Sequence, residues 1–344
     1  MSAPTTVDAL ADVARERLRE VLGGATRVGL VNFPFHGNPG DPAIWLGTRA
    51  LLRELGVRVV YSAASWSFDP DVARRRLGGA PLLINGGGNL GDLYRGQQQT
   101  RERVLREMPD TRLVQLPQSI AFTDAARARA FARLVSAHGG VTVMTREDRS
   151  TERARELFGS EPVQSPDHAF GLRRLAVAAP THELLWLTWR RGALEWRAES
   201  DPPADLSANH VDWIEAAGSA HERFDAAGAR AWRLGTRLRD GWDREGSRGI
   251  RSDLAATTFA PLARRWVAEG AALVADHRVV VTNKLHGHVF AALLGRAQVV
   301  LDNSYGKVSA TLDTWTGGLP EVHRARDADE ARAIARRLLD EVPA

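Results

Sequence analysis

Apolar residues recur along the chain in two rhythms. Short runs of β-branched and aliphatic residues occupy 28–33, 57–61, 81–85, 112–116, 141–145, 184–188, 279–282 and 299–301. Several stop at Asn, Asp, Pro or Arg, the mark of a buried strand running into a polar loop. Between them the spacing turns helical. In 7–22, Leu10, Val13, Leu18, Val21 and Leu22 share one face, and Gly23-Gly24 ends the helix. Asp41 is placed to cap the next helix, with Pro42 in its first turn. Further helices are expected at 124–137, through Leu157, at 253–275, from Val289 to Leu294 and at 327–342.

A strand every 25–30 residues or so, with helices between, predicts an α/β chain with mostly parallel, doubly wound sheets. Residues 172–182 read as a connection, so the expected domains are 1–175 and 176–344, with the helix at 327–342 free to pack back across the boundary. Residues 192–208, with Pro202-Pro203, read as a polar excursion, and 209–275 as helical pieces.

Composition narrows the function classes. With 344 residues and 44% hydrophobic content, two ordinary domains can each bury a core. The absence of cysteine excludes disulfides, thiolate metal sites and a cysteine nucleophile. The net charge is +4, but Arg and Asp/Glu alternate without a dense basic block, which argues against nucleic acid as a partner. No apolar run approaches the roughly 18 residues that span a bilayer, and no signal-peptide pattern opens the chain. A soluble cytoplasmic protein is expected. Peripheral membrane contact through Arg-rich helices and homo-oligomerisation both stay open.

Lysine usage draws attention to two loops. Of 46 basic residues only Lys284 and Lys307 are lysines, and both follow predicted strands. Ligands of open α/β sheets bind at the carboxyl ends of strands. The first loop holds Lys284, His286, Gly287 and His288; the second holds Asn303, Ser304, Tyr305, Gly306 and Lys307. Lys284 and helix-start amides suit a phosphate or carboxylate, and His286 suits proton transfer. Arg146, Arg190 and Arg191 lie at other strand ends and would grip an oxyanion with two nitrogens. A local echo, G-N-x-G-D, appears at Gly37–Asp41 and Gly88–Asp92. Asn38, Asp41, Gly87, Gly88, Asn89 and Asp92, with Gln118, are candidates for facing a ligand or for bracing these loops. Seven of ten Trp fall between Trp186 and Trp266, as a sugar platform or as core. Walker A, dinucleotide, serine-hydrolase and HExxH patterns are absent.

In order, GNPGDPAI (37–44), GGGNLGD (86–92), LPQSI (116–120), Arg146 to Ser150, PDHAF around Asp167, KLHGHVFAALLG (284–295) and LDNSYGK (301–307) resemble the polysaccharide pyruvyl transferase family over residues 28–316. The resemblance implies two Rossmann-like domains facing a cleft, similar to glycosyltransferase B. It implies phosphoenolpyruvate as co-substrate, no required cofactor, and a saccharide acceptor, lipid- or nucleotide-linked, that receives a pyruvate ketal. It implies acid–base work by His286, with Lys284 on the donor anion where the family more commonly carries Arg. Arg146, Arg190 or Arg191, His288, Asn303, Ser304, Tyr305 and Lys307 would hold the donor. The expected rivals are a nucleotide-sugar glycosyltransferase of the same fold and a non-catalytic sugar- or anion-binding relative.

Overall fold

A computed structural model describes residues 4–175, 179–189, 193, 195–203, 208–213, 234, 237, 248–304 and 306–341. Two sheets organise it, and every strand pairing in both is parallel. The first contains β1 (Arg27–Val31), β2 (Arg58–Ala63), β3 (Leu82–Ile84), β4 (Gly87–Gly91), β5 (Leu113–Ala121), β6 (Val141–Thr145) and β7 (Val163–Gln164). Its order is β2-β1-β3-β5-β6-β7, with β4 beside the distal half of β5. The second contains β8 (His182–Leu187), β9 (Asn209–Val211), β10 (His277–Thr282), β11 (Ala297–Val300) and β12 (Val322–Arg324), in the order β12-β11-β10-β8-β9.

The helices are α1 (Val7–Leu22), α2 (Gly40–Glu54), α3 (Pro70–Leu77), α4 (Arg95–Glu107), α5 (Ala125–His138), α6 (Asp148–Phe158), α7 (Arg248–Ala275), α8 (Leu285–Leu293), α9 (Lys307–Thr311) and α10 (Ala328–Glu341). Their ends obey local chemistry. Thr6 caps α1 by accepting from the Ala9 amide, and Gly23 closes it in the left-handed conformation. Asp124 caps α5 by accepting from the Ala126 and Arg127 amides.

The sheets share apolar packing. Val7 and Leu10 of α1 and Ala43 and Ile44 of α2 join Leu185, Leu187 and Val280 of the second sheet and Val289–Leu294 of α8 and its C-cap in one cluster. Farther along α1, Ala14, Leu18 and Val21 pack with Val28, Leu30 and Val114 of the first. Helix α7 repeats this arrangement. Phe259, Leu262 and Trp266 pack with the first sheet's residues, whereas Val267 and Val274 pack with the second's. Over 28 residues it runs about 42 Å, long enough to tie both sheets together. Helix α10 covers its own sheet through Ala331, Ala335 and Leu338 instead of crossing to the first. Among the described residues no helix is long and apolar enough to cross a membrane.

Local pattern and structure part in four places. GGGNLG forms β4, an extended strand, where a ligand-facing loop is expected; its pairing of Gly87, Leu90 and Gly91 with Gln118, Ile120 and Ala121 is non-local. That same partner carries β5 through Pro117 to Ala121, beyond the expected end at Leu116. Strand β9 lies in a region read as helical, and it exists because β8 offers it an edge. Helix α8 begins at Leu285, four residues before the expected Val289, because Lys284 is extended and serves as its N-cap.

Candidate active site

The chemistry of the first loop is set by where β10 stops. Asn283, fully buried, accepts from the Trp189 amide at 3.0 Å and donates to Ser200 Oγ at 2.8 Å, tying the strand end to the segment after β8. The Lys284 amide donates to Thr282 Oγ1 at 3.1 Å. Its ammonium lies 2.9 Å from Asp212 Oδ1 and 3.1 Å from the centre of the Trp189 ring. Burial pulls this lysine down to about 8, against the opposing pull of Asp212. It is therefore a cation that can lose its proton near neutrality, which an arginine would not.

His286, on the first turn of α8, faces the other sheet's elements. Its ring lies against the backbone of Gly40, where an added Cβ would sit only 2.2 Å from Nδ1. Its Nε2 is 3.6 Å from Asp167 Oδ2. His288 does not join it. Two positions further along a helix is a rotation of about 200°, and His288 is fully buried between Gln298 Oε1 and Thr316 Oγ1, each 2.8 Å away. Burial lowers it to about 4, so it is a neutral core group, and the expectation that it binds the donor is corrected.

The first sheet supplies Arg146 directly after β6. This guanidinium is buried, donates from Nε to Ser119 Oγ at 2.7 Å, and from Nη1 to Asp167 Oδ2 at 2.8 Å. Asp167 thus stands between Arg146 and His286. Burial alone would raise its carboxyl, but His286 and Arg146 hold it well below the usual carboxylate range. Glu147 accepts from Ser119 Oγ at 2.8 Å and from Ser150, and burial leaves its carboxyl raised. Gly88 lets the backbone approach the cation, since a Cβ there would lie 2.7 Å from Arg146 Nη2 and 3.7 Å from Lys307 Nζ. Gly87 has φ +140°, a conformation that favours glycine.

The two G-N-x-G-D segments differ in use. Asn38 Oδ1 accepts from the Gly40 amide at 3.1 Å, and Asp41 lies 3.2 Å from His36 Nε2. Asn89 is held by Gln118, whose Nε2 donates to Asn85 O at 3.1 Å and to Asn89 Oδ1 at 3.3 Å, and by the buried Arg101, which donates to Asn89 O at 2.9 Å. Asp92 turns away: its carboxylate accepts from the Thr123 and Asp124 amides at 2.8 and 2.7 Å and braces the start of α5. Asp92, unlike Asp41 at the same place in the echo, serves a turn and not the cavity.

In the second loop, Asn303 Oδ1 accepts from the Lys307 amide at 3.2 Å, and its Nδ2 donates to Glu195 Oε2 at 2.7 Å. Lys307 Nζ lies 2.5 Å from the same Glu195 oxygen. Ser304 is exposed, and Arg190, Arg191 and Tyr305 lie outside the described residues. His36, Asn38, Asp41, Gly88, Asn89, Arg146, Lys284, His286 and Lys307 line one cavity of about 710 Å³, together with Tyr94, Trp189, Glu195 and Trp213. Two Trp of the 186–266 cluster therefore face this space, whereas Trp186 and Trp266 are core. The indole N–H groups of Trp189 and Trp213 are buried without a partner among the described residues.

Asp167, Glu195, Asp212, His36 and Tyr94 escaped sequence reasoning as functional side chains. Nothing local separates these three acids from the other 39 Asp and Glu; only the fold sets them against cations. Asp167 alone carried a signal, ending a strand beside Pro166.

Comparison with known proteins follows the same residues. The family model for polysaccharide pyruvyl transferase matches residues 38–305. The chain is 28% identical over 322 residues to the putative pyruvyl transferase EpsO of Bacillus subtilis, covering 91% of this chain and 92% of that protein. It is 26% identical over 344 residues to pyruvyl transferase 1 of Schizosaccharomyces pombe, covering 92% and 76%. Among solved structures, a functionally uncharacterised Klebsiella pneumoniae protein, KP1_0663, is similar in fold with a TM-score of 0.55 at 16% identity, over 91% of this chain and 96% of that one.

Proposed function

Because the chain belongs to the polysaccharide pyruvyl transferase family, we propose that it moves the enolpyruvyl group of phosphoenolpyruvate onto two hydroxyls of a saccharide, forming a pyruvate ketal and releasing phosphate. The observation that carries this reading is the company of His286. One cavity gathers an imidazole beside a carboxylate with three cations, Arg146, Lys284 and Lys307. Phosphoenolpyruvate brings a phosphate and a carboxylate, so its donor site needs several cations and a proton source at once. At about 710 Å³ the cavity lies within the size range of small-molecule binding sites.

The chemistry runs through this chain's own groups. His286, protonated, gives its proton to the methylene carbon of the donor, and the adjacent carbon becomes electrophilic. One acceptor hydroxyl bonds to that carbon, and its proton returns to the imidazole. The bond from that carbon to the phosphate oxygen breaks, and phosphate leaves with its electron pair. The second hydroxyl closes the ring, and its proton goes to the departing phosphate. Asp167 stabilises the imidazolium, while Lys284, Lys307 and Arg146 stabilise the donor's anionic groups. The two sheets with a cavity between their loops support a glycosyltransferase-B-like arrangement, with the acceptor on the first-sheet side. A cytoplasmic enzyme acting on a lipid- or nucleotide-linked saccharide fits this reading.

His286→Ala should lower phosphate release from phosphoenolpyruvate, in the presence of acceptor, by about 10²–10⁴-fold. Wild-type turnover in that variant would remove His286 from the mechanism.

A further inference from the structure

Both lysines of the cavity are matched by carboxylates from one stretch of chain, the segment between β8 and α7. Asp212 meets Lys284, and Glu195 meets Lys307. The two pairs differ in kind. Lys284 also rests on the Trp189 ring, so its position does not depend on Asp212 alone. Glu195, by contrast, sits in a cradle built for an oxyanion. One oxygen takes the Lys307 ammonium at 2.5 Å and the Asn303 amide at 2.7 Å; the other accepts from the Tyr94 hydroxyl at 3.1 Å. The carboxylate is 3% exposed, yet it lines the cavity and links the loops of both sheets across it. A cation, an amide donor and a hydroxyl donor converging on two oxygens are the groups that would hold a phosphate or carboxylate of a ligand.

We propose that Glu195 is a resident anion: it fills the Lys307–Asn303–Tyr94 cradle, and an oxyanion of the donor displaces it on binding. This rests on the donor reading above for the identity of the ligand, not for the existence of the cradle. Binding then carries the cost of moving a buried carboxylate off its lysine, and the same exchange couples donor arrival to a change in the link between the two sheets' loops. The carboxylate also disfavours oxyanions too weakly charged to compete for Lys307, which makes Glu195 a determinant of ligand specificity.

The test is isothermal titration of phosphoenolpyruvate and of inorganic phosphate into wild-type protein, Glu195→Gln and Glu195→Ala, with thermal melts on all three. Glu195→Gln keeps the shape but removes the competing charge, its amide oxygen still accepting from Lys307 and Asn303 while its N–H donates to the Tyr94 oxygen, so it should bind phosphoenolpyruvate about tenfold more tightly, the effect of one modest charge-pair difference. Glu195→Ala, which removes the resident carboxylate and leaves all three cradle donors to the ligand, should also bind about tenfold more tightly; it carries the test should Glu195→Gln fail to fold. Equal or weaker binding by a folded variant overturns the proposal and makes Glu195 a positioning group for Lys307. Tightened phosphate binding with no phosphoenolpyruvate binding supports the resident anion while refuting the donor reading. Absence of binding by either anion to every protein overturns the resident anion itself.

Discussion

Adding one methyl group at Gly40 tests whether the position of His286 matters independently of stability. Gly40 opens α2 and has no positive φ, so alanine fits its backbone. The new Cβ would meet His286 Nδ1 at 2.2 Å, Cγ at 2.4 Å and Cβ at 2.7 Å. To restore ordinary contact near 3.4 Å the ring must retreat by about 1.2 Å. Two stability effects oppose each other. Alanine gains roughly 0.4–1 kcal/mol through the unfolded chain and helix propensity, while overpacking costs roughly 1–3 kcal/mol where nothing can move. The ring, 15% exposed, can swing, but the His286 Cβ is fixed to α8, so the first turn of that helix must also shift and the cost falls in the upper part of this range. Net destabilisation should be about 1–2 kcal/mol, leaving the protein folded for assay. Rate should not, since a displacement of about 1 Å in a reacting group costs on the order of 100-fold. The assay is phosphate release from phosphoenolpyruvate with acceptor, beside a thermal melt. Gly47→Ala is the contrast: its Cβ would lie 1.9 Å from the His168 carbonyl oxygen, a backbone atom that cannot swing, so it should destabilise by about 3 kcal/mol or more. Activity of Gly40→Ala within threefold of wild type would refute the placement of His286. So would a loss of activity that merely tracks a fall in melting temperature.

Two further predictions use the buried titrating groups. Lys284 loses its proton as pH rises through about 8, and only the charged form attracts the donor. Donor affinity, measured by titration calorimetry, should weaken above pH 8 by up to about tenfold per unit, and Lys284→Arg should flatten that profile because a guanidinium stays charged; an unchanged profile would count against a donor contact. His288 is lowered to about 4 from an unfolded value near 6.5, so its contribution is fully present above 6.5 and is lost as pH falls towards 4. At about 1.36 kcal/mol per unit this amounts to roughly 3 kcal/mol, and His288→Gln should remove that acid-sensitive part, seen in urea melts between pH 7 and 4, with donor affinity unchanged.

The alternation of apolar runs and helical faces was enough to place β1, β2, β3, β5, β6, β8, β10 and β11 and to predict parallel pairing, because burial on two sides demands continuous β-branched stretches. Capping residues such as Asp124 and Gly23 made several helix ends legible, since they act within a turn of their own position. Lys284, Lys307, His286 and Arg146 stood out because lysine is rare here and strand ends carry ligands. What the chain alone could not disclose depends on partners far along it. Strand β9 and the distal half of β5 exist only where an edge is offered. His286 and His288 look alike in sequence, and helix rotation sends one to the cavity and the other into the core. Asp167, Glu195 and Asp212 are ordinary carboxylates until folding sets each within reach of a cation, because charge pairing acts across space while spacing along the chain records only the near neighbours.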